Sequence, residues 1–411
     1  MNKVLSVSLS PNTEKDDSFL AFKLLFNPLK MVEGKSIKKL EKIFRNYFGF
    51  KNAFSFNSGR SSLIAILKSM EIGGGDEVIL QAFTCNAAVN PIIYLEAKPV
   101  FVDIDNNLNM SVLDLKRKIT EKTKAIMIQH TFGSPAEVKE IQKICTEKKI
   151  YLIEDCAHAL GATYEDNFCG SFGDASFFSF GRDKIISSVY GGMVTVNNES
   201  LISNVSNFYK ETKYPSFIWT LQQLLHPVLL NYIILPLYRF KIGRILMALF
   251  INFNILSKAV TSKENKGKLP EYFPKRMPNA LAILAINQFK KLERFNNHRR
   301  MISKNYDSLF FNKKGFKPLL KKEKNKEKVY LKYPILVSSP SNIVKKLKAK
   351  NIYISDGWTG SPVVPPLTSL EGLGYVYGAC PEAERISKRI ICLPTHINIS
   401  KKDAKTIFDS L

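Results

Sequence analysis

Acidic residues are scarce in this chain: 36 Asp and Glu stand against 60 Lys and Arg, and the 411 residues carry a formal net charge of +24. Such an excess suits anionic partners, namely nucleic acid, an acidic membrane surface or anionic small molecules. A lysine-rich solvated surface explains it equally well, and it fits the lysine runs at 321–328 and 345–350, which acidic or apolar residues interrupt. Because the sequence has no zinc-finger spacing, basic zipper or aromatic RNA-binding motif, we expect no nucleic-acid partner.

Cysteine is also scarce, and the six cysteines never form a C-x-x-C pair. This usage predicts reduced thiols in a cytoplasmic protein, with neither a disulfide framework nor a metal site. The N-terminal residues lack the apolar core of a signal peptide, so we expect no export.

Short apolar runs alternate with segments of helical length from about residue 36 to 200. This alternation predicts βαβ units and a mostly parallel sheet with helices on both faces. The runs that fit strands are AFSFNS, EVIL, PVFVDID, KAIMIQH, IYLIED, ASFFSF and GGMVTV. Ligands of such sheets gather at the carboxyl ends of strands. The candidate positions are therefore 57–62, 81–84, 130, 155–158 and 181–184.

The first candidate site is the stretch FNSGRSSL, where a strand ends at Asn57 and a helix begins within three residues. Such a turn presents free backbone N–H groups together with serine hydroxyls and the side chain of Arg60. A phosphate-sized anion fits this arrangement. A capped helix start without a ligand would show the same pattern.

The next candidates are a carboxylate and an amine. Asp155 ends the strand IYLIED, and His158 comes three residues later, in what we expect to be the first turn of a helix. Taken alone, such an acid is more typical of a helix N-cap, and such a histidine of a hydrogen-bonded core residue. Lys184 lies in a loop between two apolar strands, where an amine that is partly buried can form a Schiff base. Most lysines, however, are solvated surface charges.

The three features together match what pyridoxal phosphate requires: a clamp for its phosphate, a carboxylate for its pyridine nitrogen and an amine for its aldehyde. With these motifs in this order, the sequence resembles the DegT/DnrJ/EryC1/StrS aminotransferases. The resemblance extends from about 36 to 211, resumes at KRMPNALAILAINQFKKLERFNNHRR and reaches the C-terminus through ICLPTHINISKKDA. It implies a fold type I transferase, which is an α/β protein with a mostly parallel central sheet and a small C-terminal α/β domain.

The resemblance also implies a role for each matching residue. Lys184 would hold the cofactor aldehyde and shuttle the proton, Asp155 would pair with the ring nitrogen, and His158 would contact the hydroxyl side of the ring. Phe83 matches the aromatic residue that stacks on the ring. The residues that match the phosphate cradle are Ser58, Gly59, Arg60, Ser61 and Ser179.

Three positions depart from the family pattern. Arg60 stands where relatives commonly have Thr and would add charge to the cradle. Gly181 stands where many have His, and Pro274 lies near the position of an Asn that often reaches the phosphate of a neighbouring subunit. These two leave the substrate pocket and the cross-subunit contact open. Some relatives replace the lysine with His and dehydrate or deoxygenate sugars, and Lys184 argues against that chemistry.

An apolar segment interrupts the resemblance. Residues 214–238 contain no Lys, Arg, Asp or Glu, and a second apolar run follows at 245–256. Because polar residues and two prolines break the first run, a hairpin in the membrane plane is favoured over a transmembrane one. An oversized cap or a dimer-packing element fits equally well. After this segment we expect one long helix at 279–310. The predicted domains are a large cofactor-binding domain (36–311), which contains the apolar insertion at 214–268, and a small domain (312–411). An N-terminal arm (1–35) is expected to join the small domain.

The reaction implied by the resemblance is transfer of the amino group of glutamate, which leaves as 2-oxoglutarate, to a keto-sugar. The expected acceptor is a nucleotide-diphospho-linked 4- or 3-keto-6-deoxyhexose for surface polysaccharide or glycan biosynthesis. Fold type I enzymes place their active sites at a dimer interface, so a homodimer is expected. Two alternatives stay open: a catalytically silent or regulatory protein that keeps the fold, and a relative that acts on a lipid-linked sugar. In a relative that acts on a lipid-linked sugar, residues 214–260 would attach the protein to the inner face of the cell membrane.

Overall fold

A 7-stranded sheet lies at the centre of the fold. The computed structural model describes residues 4–238, 240–320, 322–355 and 357–411. In chain order, the strands of these residues are β1 Leu5–Ser6, β2 Phe54–Phe56, β3 Glu77–Gln81, β4 Thr84–Cys85, β5 Lys98–Val102, β6 Thr123–Gln129, β7 Tyr151–Asp155, β8 Thr163–Tyr164, β9 Asn167–Phe168, β10 Ala175–Ser179, β11 Gly192–Val196, β12 Lys317–Pro318, β13 Lys326–Glu327, β14 Lys332–Leu336, β15 Ile352–Tyr353, β16 Val363–Val364 and β17 Ile390–Pro394.

The order of the central sheet is β2-β11-β10-β7-β6-β3-β5. Strand β11 runs antiparallel to both of its neighbours, and every other pairing is parallel. The runs predicted as strands from the sequence are the strands of this sheet. The mostly parallel α/β architecture is thereby confirmed.

Helices pack on both faces of the sheet. In chain order they are α1 Lys15–Leu25, α2 Ser36–Phe48, α3 Gly59–Ser69, α4 Asn86–Tyr94, α5 Val112–Lys118, α6 Val138–Lys148, α7 Ile202–Glu211, α8 Phe217–Leu229, α9 Leu235–Tyr238, α10 Ile242–Asn252, α11 Asn279–Phe289, α12 Leu292–Phe310, α13 Pro340–Ala349, α14 Pro381–Ser387 and α15 Lys401–Ser410. Alternate residues of β3 point to opposite faces. Ile79 joins the core with α5 and α6, whereas Val78 and Leu80 join the core with α3 and α4.

The helix expected directly after Asp155 is absent, so that prediction was wrong. The N–H of Ala159 donates to the carbonyl of Cys156 at 3.0 Å, and that of Ala162 donates to the carbonyl of Ala159 at 2.9 Å. These turns lead into the β8–β9 hairpin. Gly161 between them has a left-handed φ of +85°, which an L side chain rarely adopts.

The predicted helix at 279–310 is in fact two helices, α11 and α12, which are separated at Lys290 and Lys291. No glycine or proline marks the break. At this point Lys291 Nζ lies 2.6 Å from a carboxylate oxygen of Asp16 and 3.1 Å from one of Asp17. The contact with the N-terminal segment is tertiary, so the local sequence pattern does not reveal it.

The apolar insertion folds as helices that are only partly buried. It comprises α8, a π turn at Leu230–Ile234, α9 and α10, and α8 packs against α1 and α11. Within the described residues, Phe217–Tyr238 is the one helix long and apolar enough to cross a membrane by length and composition alone, and 39% of its most apolar window is buried in the protein. On α10 and at its C-cap, exposed apolar side chains recur at helical spacing, and they are Ile242, Ile245, Leu249 and Phe253.

The N-terminal residues contact two regions. Strand β1 pairs in parallel with β15, whereas α1 packs against α8 and α11. A separate sheet, β12-β14-β17, has its own core with α12, α13 and α15. The division into 1–35, 36–311 and 312–411 stays a prediction, with the arm contacting elements of both predicted domains.

Candidate active site

A cavity of about 500 Å³ lies where β2, β7 and β10 end. Because β2 and β10 both pair antiparallel with β11, they run in the same direction, and their ends meet at one edge of the sheet. A cavity of this size can hold a small ligand. The predicted site residues that line it are Ser58, Gly59, Arg60, Asp155, His158, Ser179 and Lys184.

The turn before α3 is held by its own serines. Ser58 is the N-cap, and its Oγ accepts a hydrogen bond from the N–H of Ser61 at 3.1 Å. Ser61 Oγ donates to Asn57 Oδ1 at 2.6 Å. At Gly59 an added Cβ would lie 3.3 Å from Cβ of Ser179, so the turn and the end of β10 approach closely. The helix N-terminus and the hydroxyl of Ser179 therefore form a compact cradle of the kind that binds phosphate.

The guanidinium of Arg60 is already paired within the protein. Its Nε lies 2.5 Å from Oε1 of Glu264, and a terminal nitrogen donates to the carbonyl of Ala259 at 2.9 Å. Glu264 is buried and belongs to residues 257–265, which we call the strap. The positive charge predicted for the cradle is therefore compensated by Glu264. The part that Arg60 can contribute to the cradle is its backbone N–H.

Asp155 ends β7 as a buried carboxylate. Its Oδ1 accepts a hydrogen bond from the N–H of Ala157 at 2.9 Å. Burial raises the pKa of Asp155, and the Ala157 N–H and the cation of Lys184 oppose this effect. A cation placed against such a carboxylate, for example a protonated ring nitrogen, favours its ionised form.

Lys184 is half-buried in the loop between β10 and β11. Its N–H donates to the carbonyl of Gly181 at 3.2 Å, and its carbonyl accepts from the side-chain amide of Asn12. Its Cγ lies 3.6 Å from the position that a Cβ at Gly181 would take. The loop backbone thus fixes the root of the lysine side chain beside the cavity that Asp155 also lines.

His158 is held as a neutral hydrogen-bond donor. Burial and the cations of Lys184 and Lys332 hold the pKa of His158 well below its usual range. The N–H of Phe132 donates to Nδ1 of His158 at 3.4 Å, so in the neutral ring the proton is assigned to Nε2. The imidazole also stacks on the ring of Phe132 at 5.7 Å. A neutral imidazole with its proton on Nε2 can donate a hydrogen bond to an anionic oxygen on a bound ring.

Two predicted cofactor residues, Phe83 and Ser61, are not among the described residues that line the cavity. Phe83 is fully buried, and its ring centroid lies 5.3 Å from that of Trp358. Trp358 itself lines the cavity, and sequence reasoning missed it. The one feature of the sequence that could have drawn attention to Trp358 is that the chain has only two tryptophans. The stacking role of Phe83 stays a prediction.

A buried cluster beside Asp155 supports β7. Glu154 Oε2 lies 3.0 Å from Nε2 of His130, and this carboxylate also accepts from three backbone N–H groups at 2.8, 2.7 and 2.8 Å. Nδ1 of His130 accepts from the N–H of Ala136 at 3.1 Å. Cys156 lies in the same cluster, with possible ligand atoms within 4.8 Å of one another. Because His130 and Glu154 use their polar atoms in these hydrogen bonds, their role is to support the local structure. His130 is not among the described residues that line the cavity.

Several cavity residues come from segments without a predicted catalytic role. They are Ser8, Leu9 and Ser10 of the N-terminal segment, His226, Leu230, Met247 and Ile251 of the insertion, and Ser257, Lys258, Ala259 and Val260 of the strap. No motif marks them, because tertiary packing brings these segments to the cavity.

Comparison with known proteins identifies the surrounding scaffold. The model of the DegT/DnrJ/EryC1/StrS aminotransferase family matches residues 13–214 and 256–411. The unmatched residues between these ranges are the core of the predicted insertion. An uncharacterized protein of Methanocaldococcus jannaschii is 30% identical over 391 residues, which are 92% of this chain and 89% of that protein.

Two further comparisons concern a named enzyme and a solved structure. The GDP-perosamine synthase of Escherichia coli O157:H7 is 40% identical over 177 residues, which are 43% of this chain and 49% of that enzyme. A putative sugar aminotransferase from Streptococcus pneumoniae, solved in its PLP form, has a TM-score of 0.75 at 22% identity and covers 100% of this chain and 97% of that chain. The structural likeness extends over the whole chain and shows the shared fold.

Proposed function

The chain belongs to the DegT/DnrJ/EryC1/StrS family of pyridoxal-phosphate-dependent aminotransferases, and from this premise we propose that it moves the amino group of glutamate to a keto-sugar carried on a nucleoside diphosphate. One observation carries the proposal: Lys184, Asp155 and the Ser58–Gly59 turn surround a single cavity. These are the groups that amino transfer through pyridoxal phosphate needs.

The residues around the cavity fit the cofactor. The turn at Ser58 and Gly59, together with Ser179, would hold the phosphate, because the close approach at Gly59 leaves the helix N-terminus and the hydroxyls side by side. Asp155 would face the ring nitrogen, and His158 would donate its Nε2–H to the ring oxygen. When bound, pyridoxal phosphate supplies an aldehyde that carries the amino group and a ring that withdraws electrons.

The protein supplies the proton transfers. Nζ of Lys184 would take the proton from Cα of glutamate and deliver it two atoms away, across the amino nitrogen, and in the second half of the reaction it would deliver a proton to the sugar carbon. Asp155 would keep the ring nitrogen protonated and would thereby maintain the electron-withdrawing character that the bound cofactor supplies. Both halves use one amine, and glutamate and the keto-sugar therefore occupy the same cavity in turn.

The nature of the acceptor rests on a relative and on charge. A GDP-perosamine synthase shares 40% identity over the matched part of this chain. The net charge of +24 suits an acceptor that carries a diphosphate. We assign the amino-sugar product to surface polysaccharide or glycan biosynthesis.

An assay of 2-oxoglutarate tests this function. The protein, loaded with pyridoxal phosphate and given glutamate, should release 2-oxoglutarate continuously only when a keto-sugar is added, and Lys184→Ala should not. Lys258→Ala is the matched control, since Lys258 lines the same cavity. Absence of any 2-oxoglutarate from the wild-type protein would contradict an aminotransferase role.

We also propose that the working unit is a homodimer. The support is the family fold, in which two subunits surround each pair of active sites. Pro274 stands near the position of the Asn through which relatives often contact the neighbouring phosphate, so the cross-subunit contact here would come from another residue. Light scattering at micromolar concentration should give twice the mass of one chain, and a single-chain mass with full activity would refute the dimer.

We further propose that the enzyme is cytoplasmic and makes a peripheral contact with the inner face of the cell membrane. The exposed row on α10 and its C-cap is apolar, with Ile245 60% and Phe253 73% exposed. No Asp or Glu lies between Glu211 and Glu264, whereas Lys241 and Arg244 lie at the N-terminal end of the row. An apolar stripe with basic flanks suits an anionic lipid surface.

Flotation with vesicles tests this contact. The protein should float with vesicles that contain anionic lipid, and less with purely zwitterionic ones. Ile245→Asp should abolish flotation. Leu367→Asp is the matched control, because Leu367 is 84% exposed outside the insertion. Equal flotation of both variants, or none by the wild-type protein, would contradict a membrane contact.

A further inference from the structure

The insertion forms one wall of the catalytic cavity. Between the two ranges that match the family, the lining residues are His226, Leu230, Met247 and Ile251. The matched ranges supply the cradle, the carboxylate and the lysine. The cavity thus joins a half that the family model matches to a wall that it does not match.

His226 is the one polar side chain of that wall, and its hydrogen bonding is incomplete. It is 5% exposed, and its Nε2 lies 2.9 Å from Oγ of Ser10. Its Nδ1 is buried without a hydrogen-bond partner among the described residues. Since a buried polar atom without a partner is costly, a ligand that completes the bond would gain by doing so.

The pair of His226 and Ser10 is anchored close to the catalytic loop. Asn12, two residues after Ser10, donates to the carbonyl of Lys184, and its own Oδ1 accepts from Arg299 at 2.6 Å. On the other side, α8 is tied to the strap, because Ser257 Oγ donates to Gln223 Oε1 at 2.7 Å. His226 is therefore held at a fixed place relative to Lys184.

The chemistry of the wall favours an uncharged ligand group. Burial and the cation of Arg182 hold the pKa of His226 well below its usual range, so the imidazole is neutral. Its neighbours on the wall are aliphatic. The guanidinium of Arg182 already donates to the carbonyl and the hydroxyl of Ser257, and a sugar offers hydroxyls for the imidazole and C–H surface for the apolar side chains.

We propose that His226 hydrogen-bonds the keto-sugar through Nδ1 and that the insertion wall thereby selects the acceptor. The inference rests on the proposed function and deepens it. It assigns the insertion to the second half of the reaction only, and it gives the insertion a role inside the cavity as well as on the outer surface.

Three variants of His226 separate the two ring nitrogens. The amide of His226→Asn lies near the position of Nδ1, that of His226→Gln near Nε2, and His226→Leu has neither. The glutamate half-reaction is followed in single turnover by the change in cofactor absorbance. The second half is measured through complete turnover, in which continuous 2-oxoglutarate release at saturating glutamate depends on the keto-sugar. A panel of GDP- and UDP-linked 4-keto-6-deoxyhexoses is tested, and the member that reacts fastest is used.

The expected result is a split between the half-reactions. His226→Leu and His226→Gln should raise KM for the keto-sugar roughly 10-fold, the size of one lost hydrogen bond, with kcat less affected. His226→Asn should stay close to the wild-type KM. The glutamate half-reaction should be unchanged in all three. Should His226→Leu fail to fold, the Asn and Gln variants alone decide the matter, because each keeps a polar group near one of the two ring-nitrogen positions.

Two results would overturn the proposal. An unchanged KM in His226→Gln would show that Nδ1 does not touch the acceptor. An equal loss in both half-reactions would assign His226 to the general structure of the cavity. A wild-type protein that completes the glutamate half-reaction but aminates no keto-sugar would instead contradict the proposed acceptor, and one that fails even with glutamate would contradict the aminotransferase function.

Discussion

The ion pair between Arg60 and Glu264 ties the start of α3 to the strap, and Glu264→Ala would break it. Only 11% of the Arg60 side chain and 1% of the Glu264 side chain are exposed, so the substitution leaves a buried guanidinium without its counter-charge. Removing one partner of such a pair costs about 3–5 kcal/mol. Because Glu264 also accepts from the N–H of Thr261 at 2.8 Å, the strap itself loses a bond.

Urea unfolding of the cofactor-free protein, followed by circular dichroism, measures this loss. Glu199→Ala is the control, because the pair of Glu199 with Lys51 is exposed on both sides and should contribute nothing measurable. The double variant Arg60→Met, Glu264→Leu should recover most of the stability, since apolar residues of similar volume can replace a buried ion pair. A Glu264→Ala protein as stable as Glu199→Ala would refute the reasoning.

Three further substitutions probe the cavity. Burial raises the pKa of Asp155 above the ordinary carboxyl value, so ionised Asp155 destabilises the fold. The melting temperature of cofactor-free Asp155→Asn should therefore exceed that of wild type at pH 7, and the difference should disappear below a pH of about 4. This variant should be inactive. The pKa of His158 is lowered by burial and by Lys184 and Lys332, so wild type loses stability as the pH falls below about 6.5, and His158→Gln should lose less between pH 7 and 5 in the same melting assay. Trp358→Ala should raise the dissociation constant for pyridoxal phosphate roughly 10-fold in an absorbance titration, because its ring lines the cavity.

The central sheet could be read from the sequence because each strand is a short apolar run with a turn or a helical segment on either side. Buried parallel strands such as β6 and β7 need apolar residues on both faces, which makes the runs continuous. The candidate site positions at and after the ends of β2, β7 and β10 could be predicted in the same way, since the ends of these strands share one edge of the sheet. Lys184 was found through its place between two strands.

Other features depend on contacts distant in sequence. Gly161 turns the chain after Asp155, and a Cβ there would lie 2.6 Å from the side-chain nitrogen of Asn296, which belongs to α12. The break between α11 and α12 coincides with the ion pairs of Lys291. Trp358 and His226 reach the cavity from segments without a recognisable motif. Such residues are placed by tertiary packing, which local periodicity does not encode.

The most direct test of the central claim is to locate the covalent bond between cofactor and protein. Protein loaded with pyridoxal phosphate is reduced with borohydride and digested, and the modified peptide is identified by mass spectrometry. The modification should lie on Lys184, should vanish in Lys184→Ala and should persist in the cavity control Lys258→Ala. A modification on another lysine of the wild-type protein, or one that survives in Lys184→Ala, would contradict the account.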